Sequence, residues 1–70
     1  MKAEEKRKEK ENKITAAAIA SFRDKGIEVT SIRDIMNRTD FGLGTFYLYF
    51  RDKKDLEQKI VLVIMTELFY

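Results

Sequence analysis

Residues that commonly carry chemistry in proteins are scarce in this sequence. The 70-residue chain contains neither cysteine nor histidine, the side chains that most metal sites and proton-transfer sites use. Four aspartates, Asp34, Asp40, Asp52 and Asp55, fall at polar or helix-start positions, and no nucleophile and base recur at a catalytic spacing. We therefore expect no catalytic residue, no metal site and no cofactor, and an enzyme is the least favoured class.

Length and charge set the remaining bounds. Seventy residues form at most one small domain. The net charge of +2 and the sequence pI of about 9.0 are compatible with a nucleic-acid partner without requiring one. Residues 1–13 lack the apolar core of a secretory signal, and the longest apolar run, 60–65, is far shorter than the roughly 20 residues of a membrane span. We expect a soluble, cytoplasmic protein that does not contact a membrane.

The first half of the chain predicts two helices separated by a glycine. Apolar residues at helical spacing around Ala17 and Ala18 predict a helix over about 10–25. Gly26 is expected to take the left-handed cap conformation, with Ile27 folding back onto the last turn. A second helix is predicted over 31–39, started by a hydroxyl of the Thr30–Ser31 pair.

The second half predicts two more helices. Residues 42–44 are expected to form a loop, since glycine lowers helix propensity. Residues 44–50 are rich in strand-forming aromatic side chains, but a lone strand would have no partner, whereas Phe46 and Phe50 are four residues apart on one helical face. We therefore predict a third helix over 44–50. A fourth helix is predicted from Asp52 as N-cap through Leu56, Ile60 and Val63.

The two ends of the chain lead to separate expectations. Residues 1–12 form a charged extension, and six basic and four acidic residues lie between Lys2 and Lys13. This pattern indicates a solvated or frayed helical extension, with a phosphate-contacting arm as the alternative. The segment 60–65 is apolar on all helical faces, and a helix of that kind requires burial on all sides. We therefore expect residues 52–70 to lead into a missing C-terminal domain that covers this segment.

Two short helices joined by a glycine-containing turn and braced by a longer helix are typical of a helix-turn-helix DNA-binding domain, here over 13–51. The all-α pattern is that of a three-helix, homeodomain-like bundle followed by the start of a fourth, connecting helix. Phe46 and Phe50 would pack inward, leaving Gly44, Thr45 and Leu48 on the opposite arc. The residues in order resemble the DNA-binding signature of the tetracycline-repressor (TetR) family over about residues 13–56. The motifs that carry the resemblance are Ala17-Ala18, Phe22, Gly26, 30–35 (TSIRDI), 44–50 (GTFYLYF) and 53–56 (KKDL).

The resemblance implies a transcription regulator, most often a repressor, that acts as a homodimer on a palindromic double-stranded operator. The missing domain would dimerise and bind a small-molecule effector that releases the DNA. By position, phosphate contacts are implied for Thr45, Tyr47 and Lys53, and on the second helix for Arg33 and for Ser31 or Thr30. Base-facing positions are implied for Leu43, Gly44, Leu48 and Tyr49. Hydroxyl and lysine groups suit phosphate oxygens, whereas a leucine can contact only an apolar feature such as a thymine methyl group.

Departures from the family pattern at Met36, Asp40, Gly42 and Leu43 bear on the operator sequence. A second hypothesis, from a different class, is a helical protein-interaction module that associates through its apolar C-terminal helix without contacting DNA.

Overall fold

The computed structural model describes the backbone of residues 2–69 and the side chains of 5–62 and of Met65. The helices are α1 (Lys2–Lys25), α2 (Ile32–Met36), α3 (Leu43–Tyr49) and α4 (Lys53–Phe69), and residues 2–69 contain no strand. The all-α helix-turn-helix bundle followed by a fourth helix is confirmed. No helix within the described range is long and apolar enough to cross a membrane.

All four helices contribute to a single core. Phe46 of α3 lies fully buried at its centre, against Phe50 at a ring-centroid distance of 5.3 Å. The small residues Ala17 and Ala18 face this core from α1, and their size allows the neighbouring helices to approach closely. The other buried apolar residues are Ile14, Ile35, Met36, Leu56 and Ile60. Phe22, one of the residues that carry the family resemblance, is only half-buried and packs at the edge of this core.

The loop between α1 and α2 is fixed by backbone and side-chain hydrogen bonds. Gly26 adopts φ of +95°, and its N–H donates to the Phe22 carbonyl at 2.8 Å, which confirms the predicted left-handed cap. The Thr30 hydroxyl donates to the carbonyl oxygens of Gly26 at 2.7 Å and Ser21 at 3.3 Å. Ile27 stays half-exposed instead of closing fully over the last turn of α1. The loop thus delivers the chain to α2 in a defined direction.

The start of α2 carries a capping box. The Ser31 hydroxyl accepts from the Asp34 N–H, and the Asp34 carboxylate accepts from the Ser31 N–H, both at 3.0 Å. Asp34 also pairs with Lys25 of α1 at 3.2 Å. These contacts fix a helix of only five residues, which its own propensity would not stabilise.

Three predicted boundaries are wrong. The first helix begins at Lys2 and not near Lys10, because residues 2–13 contain only good helix formers and polar residues, without glycine or proline. The second helix ends at Met36 and not at Thr39. There the N–H groups of Arg38 and Thr39 bond three residues back, and the Thr39 hydroxyl donates to the Met36 carbonyl at 2.7 Å.

The predicted loop over 42–44 is the third boundary error. Leu43 and Gly44 belong to α3, and only Gly42 lies outside it, as an N-cap without a side-chain hydrogen bond. Glycine is tolerated here because the first turn of a helix has few intrahelical hydrogen bonds to support. The third helix ends at Tyr49, one residue earlier than predicted, and Phe50 is its C-cap.

The predicted start of the fourth helix is confirmed. Asp52 precedes α4, and its carboxylate accepts from the Asp55 N–H at 2.8 Å. Leu56 and Ile60 are buried as expected. The side chains of Val63, Ile64 and residues 66–70 lie outside the described residues, so the expected all-round apolar surface is described only at Val61, Leu62 and Met65, which are exposed.

Candidate nucleic-acid interface

The two faces of α3 have opposite characters. On the inner face, Phe46 and Phe50 expose 0% and 2% of their surface. On the outer face, Leu48 exposes 73% of its surface and Tyr47 exposes 55%. Leu43 is also exposed, at the start of the helix. Exposed apolar and aromatic side chains that lie together can mark a contact surface, so the outer face of α3 is a candidate for one.

A contact between two aromatic rings of α3 orients the exposed ring of Tyr47. The rings of Phe46 and Tyr47 meet edge to face at a centroid distance of 5.3 Å and an interplanar angle of 83°. Because Phe46 is immobilised in the core, this contact restrains the exposed Tyr47 ring. Thr45, half-buried, and Gly44, exposed, complete the outer arc at the start of the helix.

Tyr49 differs from its predicted role. Its ring is half-buried and packs against the core cluster, since it lies beside Phe46 and Phe50 on the helical circumference. Its side chain therefore contributes mainly to packing, and a base-facing position is not supported by this placement.

The adjacent hydroxyl groups of Thr30 and Ser31, between α1 and α2, have different roles. Thr30, one of the two predicted phosphate contacts, exposes only 1% of its surface, and its hydroxyl is engaged inside the protein. Ser31 is exposed as the N-cap of α2, next to the exposed Arg33. The cap uses the Ser31 oxygen as an acceptor, which leaves its O–H able to donate to a phosphate.

Lys53, predicted to bind phosphate, has its ammonium directed at the protein. Its Nζ donates to the Thr30 carbonyl at 2.8 Å and to the Ile27 carbonyl. The side chain is half-buried between α4 and the α1–α2 loop. The sequence gives no signal for this contact, because the two partners are backbone atoms more than twenty residues away.

Carboxylates near this surface are held in their charged form by local hydrogen bonds. The Ser31 backbone N–H, with Lys25 as the next cause, keeps the pKa of Asp34 below its ordinary value of 3.8. The Arg51 backbone N–H, with Lys59 adding a smaller effect, lowers the pKa of Asp55 in the same way. Asp34 is a residue that sequence reasoning missed as a functional support, although the Ser31–Asp34 spacing of a capping box was a usable signal.

The arrangement supports binding through an exposed helix face. Within the described side chains, no cluster of three or more acidic residues could hold a metal ion. What the surface offers instead is an exposed helix face flanked by a hydroxyl and a guanidinium at the start of α2. Both kinds of group are common phosphate ligands in protein–DNA complexes.

Comparison with known proteins agrees with this geometry. A family model described as bacterial regulatory proteins of the tetR family matches residues 14–60, about two-thirds of the chain. The chain belongs to this family. The TetR match contains every residue of the candidate interface, from Ser31 to Lys53, whereas the charged residues 2–13 lie before it.

Two curated relatives are similar to this TetR-family chain. The uncharacterized HTH-type transcriptional regulator YvdT of Bacillus subtilis (strain 168) is 40% identical over 57 residues, which cover 81% of this chain and 29% of that protein. The uncharacterized HTH-type transcriptional regulator YfiR of the same organism is 30% identical over 57 residues, covering 81% of this chain and 28% of that protein. The chain thus spans less than a third of the length of these relatives. No solved structure matches it.

The predicted resemblance is confirmed by the family match and by the description of both relatives as transcriptional regulators. The chain contains the helix-turn-helix domain of the TetR family, and the family and both relatives are described as regulators.

Proposed function

We propose that this domain binds a double-stranded operator with α3 in the major groove and the start of α2 on the adjacent backbone. The observation that carries the proposal is the exposed outer face of α3, with Tyr47 and Leu48 open to solvent while Phe46 is fully buried behind them. A helix fits the width of the major groove of B-DNA, and the second short helix of a helix-turn-helix occupies it in known complexes.

The contacts divide into two kinds. Ser31 and Arg33 on α2, with Thr45 and Tyr47 on α3, are the proposed phosphate ligands, because their polar groups can bind phosphate oxygens and set the register of the domain. The proposed base contacts are Leu43, Gly44 and Leu48, which lie at the exposed start and centre of α3. Leucine side chains favour the methyl group of thymine over the polar edges of other bases.

In the full-length regulator we propose a homodimer on a palindromic operator. Paired half-sites lie roughly 34–36 Å apart, one helical turn, so two domains must be held at that distance. The 57 matched residues are 29% and 28% of the two relatives, so each relative has more than twice as many residues outside the match as within it. That length is enough for a C-terminal domain that dimerises and binds a small-molecule effector. We propose that the regulator acts in the cytoplasm as a repressor and that the effector releases it from DNA.

A protein-interaction module is the second candidate function. It is favoured by the exposed apolar side chains of Val61 and Met65 on α4. Close to them, Ile19, Phe22 and Ile27 line a groove between α1 and α4. Apolar association of this kind depends little on salt, whereas binding to phosphates weakens steeply as salt rises.

Binding of the full-length protein to the DNA upstream of its own gene tests the proposal. We expect tight binding to a palindromic segment, with affinity falling by about tenfold between about 50 and 200 mM salt if Arg33 of each of two domains neutralises one phosphate. Absence of binding to that DNA and to a genomic library at low salt would favour the interaction module.

A further inference from the structure

The first turn of α4 is joined to the α1–α2 loop by one side chain. Lys53 donates from Nζ to the carbonyl oxygens of Ile27 and Thr30, 26 and 23 residues earlier in the chain. The Ile27 carbonyl also accepts the Thr30 N–H at 3.4 Å, which closes a turn over residues 27–30. The Lys53 ammonium therefore binds a carbonyl oxygen that already takes part in this turn. Lys53 thereby contacts both ends of the loop segment 27–30.

The position of the loop decides the position of the candidate interface on α2. Thr30 is buried and anchored by its hydroxyl, and Ser31, the next residue, caps α2 and is a proposed phosphate ligand. A carbonyl held at Thr30 therefore orients the peptide bond that leads into Ser31. The Lys53 ammonium binds the Thr30 carbonyl, and Thr30 is covalently bonded to Ser31 at the DNA-facing start of α2.

The placement of a lysine at the first position of α4 supports this role. A positive charge at a helix N-terminus opposes the helix dipole. Here the charge extends away from the helix axis to two carbonyl oxygens, in charge-assisted hydrogen bonds that are stronger than neutral ones. The carboxylates of Asp52 and Asp55 remain as the favourable charges of that first turn. With two of its three donors engaged, the ammonium retains at most one for a phosphate.

We propose that Lys53 is a positioning residue, which holds the α1–α2 loop and the cap of α2 in the geometry that DNA binding requires. The expected effect on DNA affinity rests on the proposed function. The clamp, by which we mean the hydrogen bonds from the Lys53 ammonium to the Ile27 and Thr30 carbonyls, exists in the free protein. It differs from the phosphate contact that the family resemblance implies for this residue.

The test compares Lys53→Met with Lys54→Met in the full-length protein. Methionine keeps the apolar stem and removes the ammonium, and Lys54 is the exposed neighbour in the same turn. The DNA probe is the tightest duplex selected by the wild-type protein from a random library. For Lys53→Met we expect affinity about tenfold lower with an unchanged salt slope. Without DNA, we expect faster amide exchange at Ser31 and Asp34, and Lys54→Met should leave that exchange unchanged.

Other outcomes overturn the proposal. A phosphate anchor predicts a salt slope smaller by about one unit with unchanged amide exchange in the free protein. A purely structural role predicts a lower melting temperature with unchanged affinity wherever the protein is folded. If wild-type protein binds no DNA, the proposed function fails, while amide exchange still decides whether the clamp exists.

A second measurement does not depend on how the variant folds. NMR signals of the Lys53 ammonium group in the wild-type protein should show a hydrogen-bonded group before DNA is added and little change afterwards. A large change on adding the duplex would mean that the ammonium moves to a phosphate, against the proposal.

Discussion

Leu48 is the most exposed of the large apolar and aromatic side chains of α3, and its exposure makes it a sensitive probe of base contacts. It exposes 73% of its surface, so truncation removes almost no packing. We expect Leu48→Ala to change base preference at one position of each half-site and to leave the melting temperature nearly unchanged. Selection from a randomised operator library, with a thermal melt of the same variant, measures both effects.

The matched comparison is Phe46→Ala, on the buried face of the same helix. Removing a fully buried phenylalanine costs about 3–5 kcal/mol, which is enough to unfold a small domain. A large stability loss in Leu48→Ala, comparable to that of Phe46→Ala, would place Leu48 in the core and contradict the proposed interface.

Thr30 shows that a hydroxyl beside the interface can be structural. Thr30→Val keeps the shape and removes the donor to the Gly26 and Ser21 carbonyls. We expect a loss of about 1–3 kcal/mol in the free energy of unfolding, measured by urea titration. Thr15→Val is the control, because its hydroxyl bonds to a helix carbonyl at a less buried site. Equal effects of the two substitutions would argue against a special role for the loop.

For single residues of the candidate site, burial along α3 was more predictable from the sequence than the direction in which Thr30 and Lys53 point. The exposed Tyr47 and Leu48 and the buried Phe46 follow from a period of 3.6 residues. Thr30 and Ser31 are adjacent hydroxyls that can both cap a helix, and the Ser31–Asp34 spacing of a capping box favours Ser31 as the cap. The inward contacts are tertiary: Thr30 donates to the Ser21 carbonyl of α1, and Lys53 donates to the Thr30 carbonyl of the α1–α2 loop.

At the scale of elements, α3 combines weak helix propensity with an open surface at its start. A Cβ built on Gly44 meets no heavy atom within 4 Å, so the protein itself has room for a side chain there. Gly44→Ala should stabilise the domain by up to about 1 kcal/mol through helix propensity. The added methyl group would lie on the proposed DNA face and weaken operator binding. Urea titration and operator affinity measure the two opposite effects.

Gly42→Ser is the matched control, because it adds a cap to the same helix from outside its first turn. It should stabilise α3 by a smaller amount and affect operator binding less than Gly44→Ala. If Gly44→Ala binds the operator as well as the wild type does, backbone approach at Gly44 is not part of recognition.

The capping box of α2 predicts a pH dependence of stability. Hydrogen bonds from the Ser31 N–H and from Lys25 lower the pKa of Asp34 in the folded state below 3.8. A lowered folded pKa means that its contribution is complete above that value and is lost as pH falls through the folded pKa. Asp34→Asn should therefore destabilise the protein at neutral pH and have a smaller effect in strong acid.

Urea titrations of wild type and Asp34→Asn across the acidic range measure this difference. Asp40→Asn, in the exposed turn before α3, is the control for a general charge effect. An Asp34→Asn effect that stays constant with pH would show that the carboxylate charge contributes nothing to the cap.

The number and order of helices were predictable, whereas several helix ends were not. The strong apolar periodicity identified all four helices, and Gly26 and Asp52 marked their boundaries correctly. The end of α2 depends on hydrogen bonds of Thr39 with the turn, and the start of α3 on a glycine that occupies a helical position. The Thr39 bond to the Met36 carbonyl spans only three residues, and helix propensity alone predicts neither of these two boundaries.

At the scale of the whole molecule, one domain can occupy only one half-site. Two half-sites lie roughly 34–36 Å apart, and cooperative binding is expected to come from the additional length found in the relatives. We expect the 70-residue chain to bind a palindrome and a single half-site with equal affinity per half-site. The full-length regulator should bind the palindrome at least about 100-fold more tightly than one half-site, through its linked second domain.

Fluorescence anisotropy with both duplexes, at one salt concentration, measures these ratios for the two proteins. Changing one half-site in the palindrome is the control and should remove the advantage of the full-length regulator. If the 70-residue chain itself prefers the palindrome, two copies of the chain associate directly. The exposed apolar residues Val61 and Met65 on α4 would then be the expected contact. Substituting both by serine should abolish that preference and leave half-site binding intact.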